Sequence, residues 1–433
     1  MKIAVIGTGY VGLVTAAGLA EFGHTVIGAD KEASKIAGIS RGKVPIYEPG
    51  LDDLVRKNIE KGVLTFTADV DRTIREADVI FVCVGTPQDE SGRADMSQIE
   101  GVSRTIAQNL NGYKVVVEKS TVPVKTSDWI KRIITLYRKD QTPFDVASNP
   151  EFLREGAAVS DFLEPDRIII GVETDRARDI LARIYAKFSD RIMVTNIGTA
   201  ELIKHASNSF LALKISYINM ISDLCEKTHA DVDQVALGMG LDPRIGKQFL
   251  KAGLGYGGSC FPKDVKALTK IGEDLGVSMG LLRETDKVNQ DRPGFFLEKV
   301  RKALWILKGK TIAVLGLAFK PETDDIREAS SARIIGQLAR EGSLLRLYDP
   351  KAMDNMKEVF PESAEITYCC DAYQASEDAN AILVVTEWEE FRALDFGRIK
   401  GLMANPIIVD GRNLFDPDAI RKLGFEYYSV GRK

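Results

Sequence analysis

Hydrophobic runs alternate with amphipathic segments along the first 195 residues. The opening KIAVIGTGYVGLVTAAGLAEFGHTVIGADK predicts a buried strand, a glycine turn, a helix and a second strand at 25–29. A helical pattern covers 52–61, and three further apolar runs end in loops, at 79–84, 115–117 and 146–147. Alternation of this kind predicts a parallel sheet covered by helices.

The pattern after residue 195 predicts one long helix. No glycine or proline lies between Thr199, the expected N-cap, and Thr228. Apolar residues recur there at helical spacing: Leu202, Ala206, Phe210, Leu213, Tyr217, Met220 and Leu224. Because other faces of this helix are apolar too, we expect it to be buried between domains or at a subunit interface. Helical patterns continue to Gln290, and the sequence DRPG at 291–294 is expected to break them.

The last third of the chain repeats the plan of the first. The segment TIAVLG matches the opening KIAVIG, and EDANAILVVTEW matches EADVIFVCVGTP. A helix is predicted at 330–340, with strands ending at 348 and covering 381–385 and 406–409. The predicted fold class is α/β, with two Rossmann-like doubly wound parallel-sheet domains joined by a central helical domain. We place the domains at 1–195, 196–300 and 301–433.

Composition narrows the class of protein. The 58 Lys plus Arg residues against 62 Asp plus Glu give a net charge of −4, without a basic tract that would follow nucleic acid. The apolar run before Gly7 is too short for a signal peptide, and no segment is apolar for long enough to span a membrane, so we expect a soluble cytoplasmic protein. The 5 scattered cysteines argue against a disulfide framework, and the 3 histidines have no metal-binding spacing. We expect a reducing compartment and no metal.

A G-x-G-x-x-G pattern follows the first strand and opens the first helix. Gly7, Gly9 and Gly12 let the backbone turn tightly and approach a pyrophosphate at a helix N-terminus, where N–H groups and the helix dipole favour an anion. Asp30, at the end of the second strand, can accept hydrogen bonds from both ribose hydroxyls and would repel a 2′-phosphate. The pattern predicts an NAD site, and the alternative is a glycine turn that binds no nucleotide.

A second glycine-rich segment, AGLGYGGSCFPKD, surrounds Cys260. Pro262 suits the start of a helix that runs to about Leu275, which would place the thiol beside a helix N-terminus. That terminus, with Lys263 or Lys204 nearby, would raise the thiolate fraction. The alternative is a small buried apolar residue, which is our interpretation of Cys83 inside its apolar strand.

Other polar residues stand where doubly wound sheets bind their ligands. Lys204 and Asn208 project from one face of the long helix, and the triplets at 119–121 and 149–151 each follow a predicted strand. Three cations in strand-end loops of the second α/β unit are candidates to bind a phosphorylated group: Lys320, Arg327 and Arg412. The alternatives are a solvated stripe, ordinary loops and surface charges.

Assembled, these residues resemble the UDP-glucose/GDP-mannose dehydrogenase family over the whole chain. The motifs that carry the resemblance are GTGYVG (7–12), YEPGL (47–51), VGTP (84–87), KSTVP (119–123), NPEFLREG (149–156), KHASNSFLA (204–212), GYGGSCFPKD (255–264), GLAFKPETDDIRE (316–328) and DGRN (410–413). The resemblance implies an NAD-dependent, four-electron oxidation of the C6 alcohol of a nucleotide sugar to a carboxylate. Cys260 would form a thiohemiacetal and then a thioester.

Arg244 and the segment FLKAGLGYGG favour UDP-glucose as the substrate. The alternatives are the same chemistry on GDP-mannose or a UDP-N-acetylhexosamine, a two-electron hydroxyacid dehydrogenase, and a non-catalytic nucleotide-sugar sensor. The last two are disfavoured because neither needs the combination of Cys260, Lys204 and Asp264.

The resemblance also implies residue roles. Lys204 and Asn208 would stabilise charge on oxygen, Asp264 would position or activate water, and Thr121 and Glu151 would complete the network around Cys260. The residues near the cofactor would be Gly7, Gly9, Val11, Gly12, Asp30, Lys35, Thr86, Thr121, Glu155, Lys263 and Arg327. Those that hold the UDP-sugar would be Glu151, Phe152, Leu153, Arg154, Glu155, Lys204, Asn208, Arg244, Phe249, Leu250, Lys251, Ala252, Gly253, Gly257 and Lys320.

Arg244 would reach the site of a neighbouring subunit, which implies a homodimer or a higher homo-oligomer built around the long helix. Three positions depart from the family pattern: Lys125 replaces a common Gly, His205 replaces a Tyr, and Met220 stands where Glu often follows Asn219. These departures affect local loop geometry and helix contacts and remove none of the implied catalytic groups.

Overall fold

The computed structural model of the protein describes residues 1–87 and 94–432. Residues 88–93, within the predicted first domain, and residue 433, the predicted end of the third, lie outside the described residues. The chain forms two compact units: a first unit of Met1–Ser207 with Lys270–Gly276, and a second unit of Asn208–Thr269 with Val277–Lys433. The predicted three-domain boundaries stay a prediction. No helix in the described ranges is long and apolar enough to cross a membrane.

A mainly parallel sheet forms the centre of the first unit. Its described strands are β1 Lys2–Ile6, β2 Thr25–Ala29, β3 Leu64–Thr67, β4 Val79–Val82, β5 Lys114–Glu118, β6 Phe144–Ser148, β7 Ile168–Gly171 and β8 Ile192–Thr195. Their order is β3-β2-β1-β4-β5-β6-β7-β8, and every neighbouring pair is parallel except β6 and β7. The predicted parallel sheet is therefore confirmed from β1 to β6. At β7 it is wrong, because the chain returns beside β6 in the opposite direction.

Helices cover both faces of this sheet. They are α1 Tyr10–Glu21, α2 Ala33–Ile39, α3 Leu51–Glu60, α4 Val70–Glu76, α5 Ser97–Asn109, α6 Thr126–Tyr137, α7 Ala158–Leu163 and α8 Asp175–Ile184, with a 3₁₀ helix at Ala186–Arg191. Successive residues of β1 enter two different cores: Ile3 and Val5 pack in one, and Ala4 and Ile6 in the other. Burial on both faces explains why the strands are continuous apolar runs.

The second unit contains a sheet with the same strand plan. Its strands are β9 Thr311–Leu315, β10 Leu344–Tyr348, β11 Ile366–Tyr368, β12 Ala381–Val384, β13 Ile407–Asp410 and β14 Glu426–Tyr428, in the order β11-β10-β9-β12-β13-β14 and all parallel. Its helices are α13 Ser330–Arg340, α14 Met353–Val359, α15 Ala372–Ser376, α16 Glu389–Arg392, α17 Phe396–Leu402 and α18 Pro417–Lys422. The predicted fold class, including the repeat of the first plan, is confirmed.

The long helix α9, Ile197–Thr228, begins three residues before the predicted position. The side-chain Oδ1 of Asn196 accepts a hydrogen bond from the backbone N–H of Thr199 at 2.8 Å, so Asn196 rather than Thr199 is the N-cap. Three helices follow it: α10 Val232–Gly240, α11 Phe261–Asp274 and α12 Gly280–Leu304.

The expected helix break at 291–294 is wrong. Helix α12 runs through these residues with Pro293 inside it. Proline removes one backbone hydrogen bond and normally disfavours a helix interior. Here Phe296, Leu297 and Val300 pack into the core of the second unit, and the burial of these side chains keeps the segment helical.

Candidate active site

The glycine loop between β1 and α1 has the geometry of a phosphate-binding loop. Gly7 has φ +94°, and a Cβ there would lie 2.6 Å from the carbonyl oxygen of Cys83. A Cβ on Gly12 would lie 1.8 Å from the carbonyl oxygen of Gly7, so neither position admits a side chain. At Gly9, the N-cap of α1, a Cβ would meet nothing within 4 Å, and no side chain caps the helix. This open, uncapped helix start, with Val11 in its first turn, fits a pyrophosphate.

Asp30 follows β2 and is held in one orientation. Its Oδ2 accepts hydrogen bonds from the N–H and hydroxyl of Thr8 and from the ammonium of Lys35, each at 3.0 Å, and its Oδ1 accepts from Glu32 N–H at 3.2 Å. Burial opposes the negative charge of Asp30, but the N–H of Thr8 and the ammonium of Lys35 outweigh burial and lower its pKa. The carboxylate is therefore charged at neutral pH and faces the same loop as Gly7.

The loops after β4, β5 and β6 meet at one edge of the sheet of the first unit. The hydroxyl of Thr86 donates to the carbonyl oxygen of Thr121 at 2.8 Å. Lys119 is buried, and its ammonium donates to the backbone oxygen and to Oδ1 of Asn149, both at 3.1 Å. Burial lowers the pKa of Lys119 to about 8. These contacts fix the loop that carries Thr121 against the loop that carries Glu151.

Lys204 and Glu151 form a buried ion pair in the first unit. The Lys204 ammonium lies 2.8 Å from Glu151 Oε1, and the two side chains are only 5% and 4% exposed. The other oxygen of Glu151 accepts a hydrogen bond from the backbone N–H of Leu153 at 2.6 Å. The Lys204 ammonium also stands 5.4 Å from the ring centre of Phe152. A charged, dehydrated pair of this kind is suited to moving or holding a proton next to a reacting oxygen.

The rest of the NPEFLREG loop is tied to its surroundings. The guanidinium of Arg154 pairs with Asp161, with Nε 3.0 Å from Oδ2 and Nη2 2.5 Å from Oδ1. Glu155 is buried. Glu48 of the YEPGL motif accepts hydrogen bonds from the N–H groups of Gly156 and Ala158, both at 2.7 Å, and bonds the hydroxyl of Tyr10 beside the phosphate loop. The loop is thereby linked to α1.

Two side chains one turn apart on α9 hold the loop after Thr121. Glu201 accepts hydrogen bonds from the N–H groups of Lys125 at 2.6 Å and Ser127 at 3.0 Å. The Nε2 of His205 lies 2.7 Å from the carbonyl oxygen of Val122. His205, a departure from the family pattern, therefore has a defined structural contact. Lys204 lies between these two anchors on the helix.

Cys260 occupies the N-cap of α11. Its carbonyl oxygen accepts a hydrogen bond from the N–H of Asp264 at 2.9 Å, the first bond of the helix. The side chain is half-buried, and its Sγ lies 3.5 Å from the hydroxyl of Ser259. The thiol therefore stands beside a helix N-terminus, as predicted, where the helix dipole favours a thiolate. Cys83 is buried in the core as predicted, and burial raises its pKa to about 12.

Asp264 and Asn208 are joined in the second unit. The Asn208 amide donates to Asp264 Oδ2 at 2.6 Å, and the Lys263 ammonium lies 3.1 Å from Asp264 Oδ1. Asp264 is fully buried. A carboxylate in the first turn of α11 is stabilised by the helix dipole. The N-terminal turn of α11 thus carries both the Cys260 thiol and the Asp264 carboxylate.

The residues of the predicted sugar-nucleotide segment occupy different environments. Phe249 has φ +64° and places its ring centre 6.0 Å from that of Phe261. Leu250 and Ala252 are buried, and Lys251 lies 3.8 Å from Glu387. A Cβ on Gly257 would lie 2.6 Å from the carbonyl oxygen of Glu328, so the backbone packs too closely for a side chain.

The predicted cations of the second unit differ in how they are used. Arg244 is 87% exposed and pairs with Asp242, and Arg327 pairs through two nitrogens with Asp325 at 2.8 and 2.7 Å. The Lys320 ammonium stands 5.4 Å from the ring centre of Phe319. Arg412 donates to three carbonyl oxygens, of Val385, Gly255 and Phe319, at 2.7, 3.1 and 3.1 Å. Arg412 thus supports the backbone at three places, and its role as a phosphate ligand stays a prediction.

Sequence reasoning missed three buried polar side chains that bond the glycine segment before Cys260. Asn219 lies on α9, and Asn289 and Arg292 lie on α12; each is less than a tenth exposed. Polar residues on the core-facing side of an amphipathic helix were the available signal. For α12 that signal was obscured by the expected break at 291–294. In the described residues, no group of three or more His, Cys, Asp or Glu side chains is arranged to hold a metal ion.

Three family models match successive parts of the chain. They are the NAD binding domain of the UDP-glucose/GDP-mannose dehydrogenase family at residues 1–189, its central domain at 198–291 and its UDP binding domain at 313–417. Two relatives resemble the chain over its full length. UDP-glucose 6-dehydrogenase from Rhizobium meliloti is 47% identical, with 100% of both chains covered. UDP-glucose 6-dehydrogenase TuaD from Bacillus subtilis is 44% identical, with 100% of this chain and 93% of the relative covered.

A solved structure shows the same likeness. The UDP-glucose dehydrogenase from the hyperthermophilic archaeon Pyrobaculum islandicum superposes with a TM-score of 0.93 at 35% identity, covering 100% of this chain and 98% of the other. The family models, the full-length relatives and the solved structure all point to the same family. The chain belongs to the UDP-glucose/GDP-mannose dehydrogenase family and is an NAD-dependent dehydrogenase.

Proposed function

We propose that this protein is a UDP-glucose 6-dehydrogenase, which converts UDP-glucose to UDP-glucuronate. The observation that carries the proposal is Cys260 at the N-cap of α11, one turn from the buried pair of Asp264 and Asn208. A simple alcohol oxidation has no use for such a thiol, whereas in the oxidation of an aldehyde a thiol can form the tetrahedral adduct from which the second hydride leaves. The relatives named UDP-glucose 6-dehydrogenase, at 44% and 47% identity, support the choice of sugar.

The overall reaction consumes one UDP-glucose, two NAD and one water, and yields one UDP-glucuronate, two NADH and three protons. NAD, when bound, accepts one hydride in each of the two oxidations. The residues that would hold it are Gly7, Gly9, Val11, Gly12, Asp30, Lys35, Thr86, Thr121, Glu155, Lys263 and Arg327. Asp30 would select NAD against NADP, because its charge repels a 2′-phosphate.

The first oxidation removes the hydroxyl proton and a hydride from C6 and leaves an aldehyde. Lys204 and Asn208 would stabilise the oxygen as it becomes negative, and the Glu151 carboxylate, paired with Lys204, would accept the proton. Cys260 then forms a bond from Sγ to C6, and the thiol proton passes to the aldehyde oxygen. The resulting thiohemiacetal carries one hydrogen on C6 that can leave as a hydride.

The second oxidation takes that hydride and the hydroxyl proton and leaves a thioester on Cys260. Water attacks C6, the C–S bond breaks, and the thiol regains its proton as the carboxylate is released. Asp264 would position this water and receive a proton, and Asn208 holds the carboxylate of Asp264 at 2.6 Å for that task. Cys260 thus links two oxidations to one hydrolysis.

The sugar nucleotide would be held by the loop at 151–155, by Lys204 and Asn208, by the segment 249–253 and by Gly257 and Lys320. Arg244 would contribute from a second copy of the chain in a homodimer. Its guanidinium is 87% exposed, which leaves it accessible to a neighbour. We place the enzyme in the cytoplasm, where a reducing environment keeps Cys260 as a thiol.

The deciding experiment is the amount of NADH formed per sugar consumed by the purified protein. With UDP-glucose we expect a ratio of two, and slower turnover with GDP-mannose and UDP-N-acetylmannosamine at equal concentration. A ratio of one, or no turnover of UDP-glucose, would contradict the proposal. Faster turnover of either competitor would keep the four-electron chemistry but reassign the substrate.

A further inference from the structure

The segment 253–258 belongs to no helix or strand, yet side chains bond the backbone of its first four residues, 253–256. The N–H of Gly253 donates to Oδ1 of Asn219 at 2.8 Å, and its carbonyl oxygen accepts from Nε of Arg292 at 3.2 Å. The carbonyl oxygen of Leu254 accepts from the hydroxyl of Ser330 at 2.8 Å. These bonds replace the ladder that a strand would supply.

Asn289 makes the most specific of these contacts. Its Oδ1 accepts from the N–H of Tyr256 at 2.8 Å, and its Nδ2 donates to the carbonyl oxygen of the same residue at 3.0 Å. Gly255, at φ +84°, fits this arrangement because a Cβ there would lie 2.3 Å from Asn289 Oδ1. The amide of Asn289 therefore determines the path of the backbone through Gly255 and Tyr256.

Arg292, one turn further along α12, bonds the carbonyl oxygen of Gly253. It is 3% exposed, and its Nη1 lies 2.7 Å from Asp223. A buried charge on a helix that otherwise packs against apolar core is costly unless it is paired and fully bonded. Apolar residues at 289 and 292 would fill the same space at a lower free-energy cost of burial. We therefore attribute to Asn289 and Arg292 the task of fixing the position of the backbone that they bond.

We propose that Asn289 and Arg292 are positioning residues that hold the segment 253–258 preformed for the nucleotide sugar. Neither residue is among those that the family resemblance assigns to the site. The inference rests on the proposed function, because this segment would hold the UDP-sugar. A preformed segment lowers the ordering cost of binding, so its loss weakens affinity for the sugar nucleotide more than it slows the chemistry.

Two variants test the proposal. Asn289→Asp keeps the shape and the acceptor for Tyr256 N–H but replaces the donor with an oxygen that faces the Tyr256 carbonyl. Arg292→Lys keeps the charge beside Asp223 and loses the bond from Nε to Gly253. The matched control is Asn413→Asp: Asn413 is equally buried, at 7%, and bonds both backbone groups of Val430 at 2.8 and 2.9 Å.

Three quantities are measured on each protein: kcat, the KM values for UDP-glucose and NAD, and the Kd for UDP by calorimetry. In Asn289→Asp we expect the KM for UDP-glucose and the Kd for UDP to rise at least about tenfold, with kcat and the KM for NAD changed by less than about threefold. Arg292→Lys should shift the same two constants in the same direction. Asn413→Asp should lower the melting temperature comparably and leave both constants unchanged.

A purely structural role gives a different result. Loss of folded protein lowers kcat per mole of chain and leaves KM and Kd as they are. Unchanged constants in both variants, or an equal rise in Asn413→Asp, would overturn the proposal. The outcome is separate from the proposed function: failure of the wild-type protein to oxidise UDP-glucose contradicts that function, while the UDP titrations still decide the role of Asn289 and Arg292.

Discussion

Cys260 is partly accessible and lies at a helix N-terminus, and these two properties together give the first prediction. In Cys260→Ser, an alcohol replaces a thiol that is the better nucleophile and the better leaving group. We expect the variant to complete the first oxidation at most once per site, or to hold a covalent intermediate, with kcat reduced at least about a thousandfold. NADH stoichiometry and the intact protein mass would report this.

The control for that variant is Cys370→Ser, which changes an exposed cysteine of the same unit and should turn over like the wild type. Sustained formation of two NADH per sugar by Cys260→Ser would exclude a covalent role for the thiol. If a double variant, Cys260→Ser with Cys370→Ser, also formed two NADH per sugar, Cys370 could not be acting in place of Cys260.

Lys119 gives a prediction about pH. Its pKa falls from 10.5 to about 8 in the folded protein because burial penalises its charge. Between pH 8 and 10.5 the unfolded state therefore binds more protons at this site than the folded state does. The free energy of unfolding should rise with pH through this window, by up to about 3 kcal/mol from this group.

Lys119→Met removes the titrating group at similar volume. The wild type should gain melting temperature relative to this variant as pH rises from 8 to 10, and Lys139→Met, which changes an exposed lysine, should follow the wild type. Parallel melting-temperature profiles for the wild type and Lys119→Met would show that Lys119 does not carry this pH dependence.

At the scale of elements, the two sheets show what a repeat preserves. Gly316 after β9 has φ +95° and Gly7 after β1 has φ +94°. Asp349 after β10 stands where Asp30 stands after β2, but its Oδ2 accepts from Leu317 N–H, Ala318 N–H and the indole of Trp388, and it is fully buried. The second sheet keeps the turn and the carboxylate but closes the place where a ribose would bind. This agrees with the absence of G-x-G-x-x-G after TIAVLG in the printed sequence.

The N-terminus of α6 carries a residue with a strained backbone, and removing that strain is expected to stabilise the protein. Lys125 caps this helix at φ +77°, a conformation that costs a residue with a Cβ about 1 kcal/mol. Lys125→Gly keeps the N–H that donates to Glu201 and removes the strain, so we expect a gain of about 0.5–1 kcal/mol and a melting temperature higher by a few degrees. Lys125→Ala retains the Cβ and should show no gain. If Lys125→Gly and Lys125→Ala were equally stable, any change in stability would come from loss of the lysine side chain and not from relief of backbone strain.

Hydrophobic periodicity predicted the helices and strands well where the spacing of apolar residues matches the positions that the fold buries. The strand at 25–29 and the helix at 330–340 match β2 and α13. It failed where distant contacts decide: packing of Phe296 and Leu297 carries α12 through Pro293, and the antiparallel β7 depends on pairing with β6. Motifs identified Cys260 and the phosphate loop. They did not identify Asn289, because its bond to the backbone of Tyr256 joins residues 33 positions apart in the sequence.

At the scale of the whole molecule, α9 has an unusual distribution of side chains. Its buried side mixes apolar residues such as Ala212 and Ile218 with five polar ones that are each less than a tenth exposed: Glu201, Lys204, Asn208, Ser216 and Asn219. A second apolar stripe faces outward, with Phe210 61%, Tyr217 42%, Met220 49% and Leu224 57% exposed. A contiguous exposed apolar stripe marks an interaction surface. It supports the subunit-interface interpretation of this helix.

We expect a second copy of the chain to cover this stripe and to meet the exposed Arg244. A twofold pair of α9 helices would bury Phe210, Tyr217 and Leu224 against the same residues of the other copy. Leu224→Glu places a charge in that contact, so sedimentation velocity should show the wild type as a dimer of the 47.7 kDa chain and the variant shifted to monomer. The control is Leu136→Glu, which changes a leucine on α6 that is 67% exposed, and this variant should stay dimeric.

If Arg244 acts across the dimer, dissociation of Leu224→Glu raises the KM for UDP-glucose at low protein concentration, and concentrating the variant restores the KM. A monomeric wild type, or a dimeric Leu224→Glu, would mean that the stripe binds something other than a second copy.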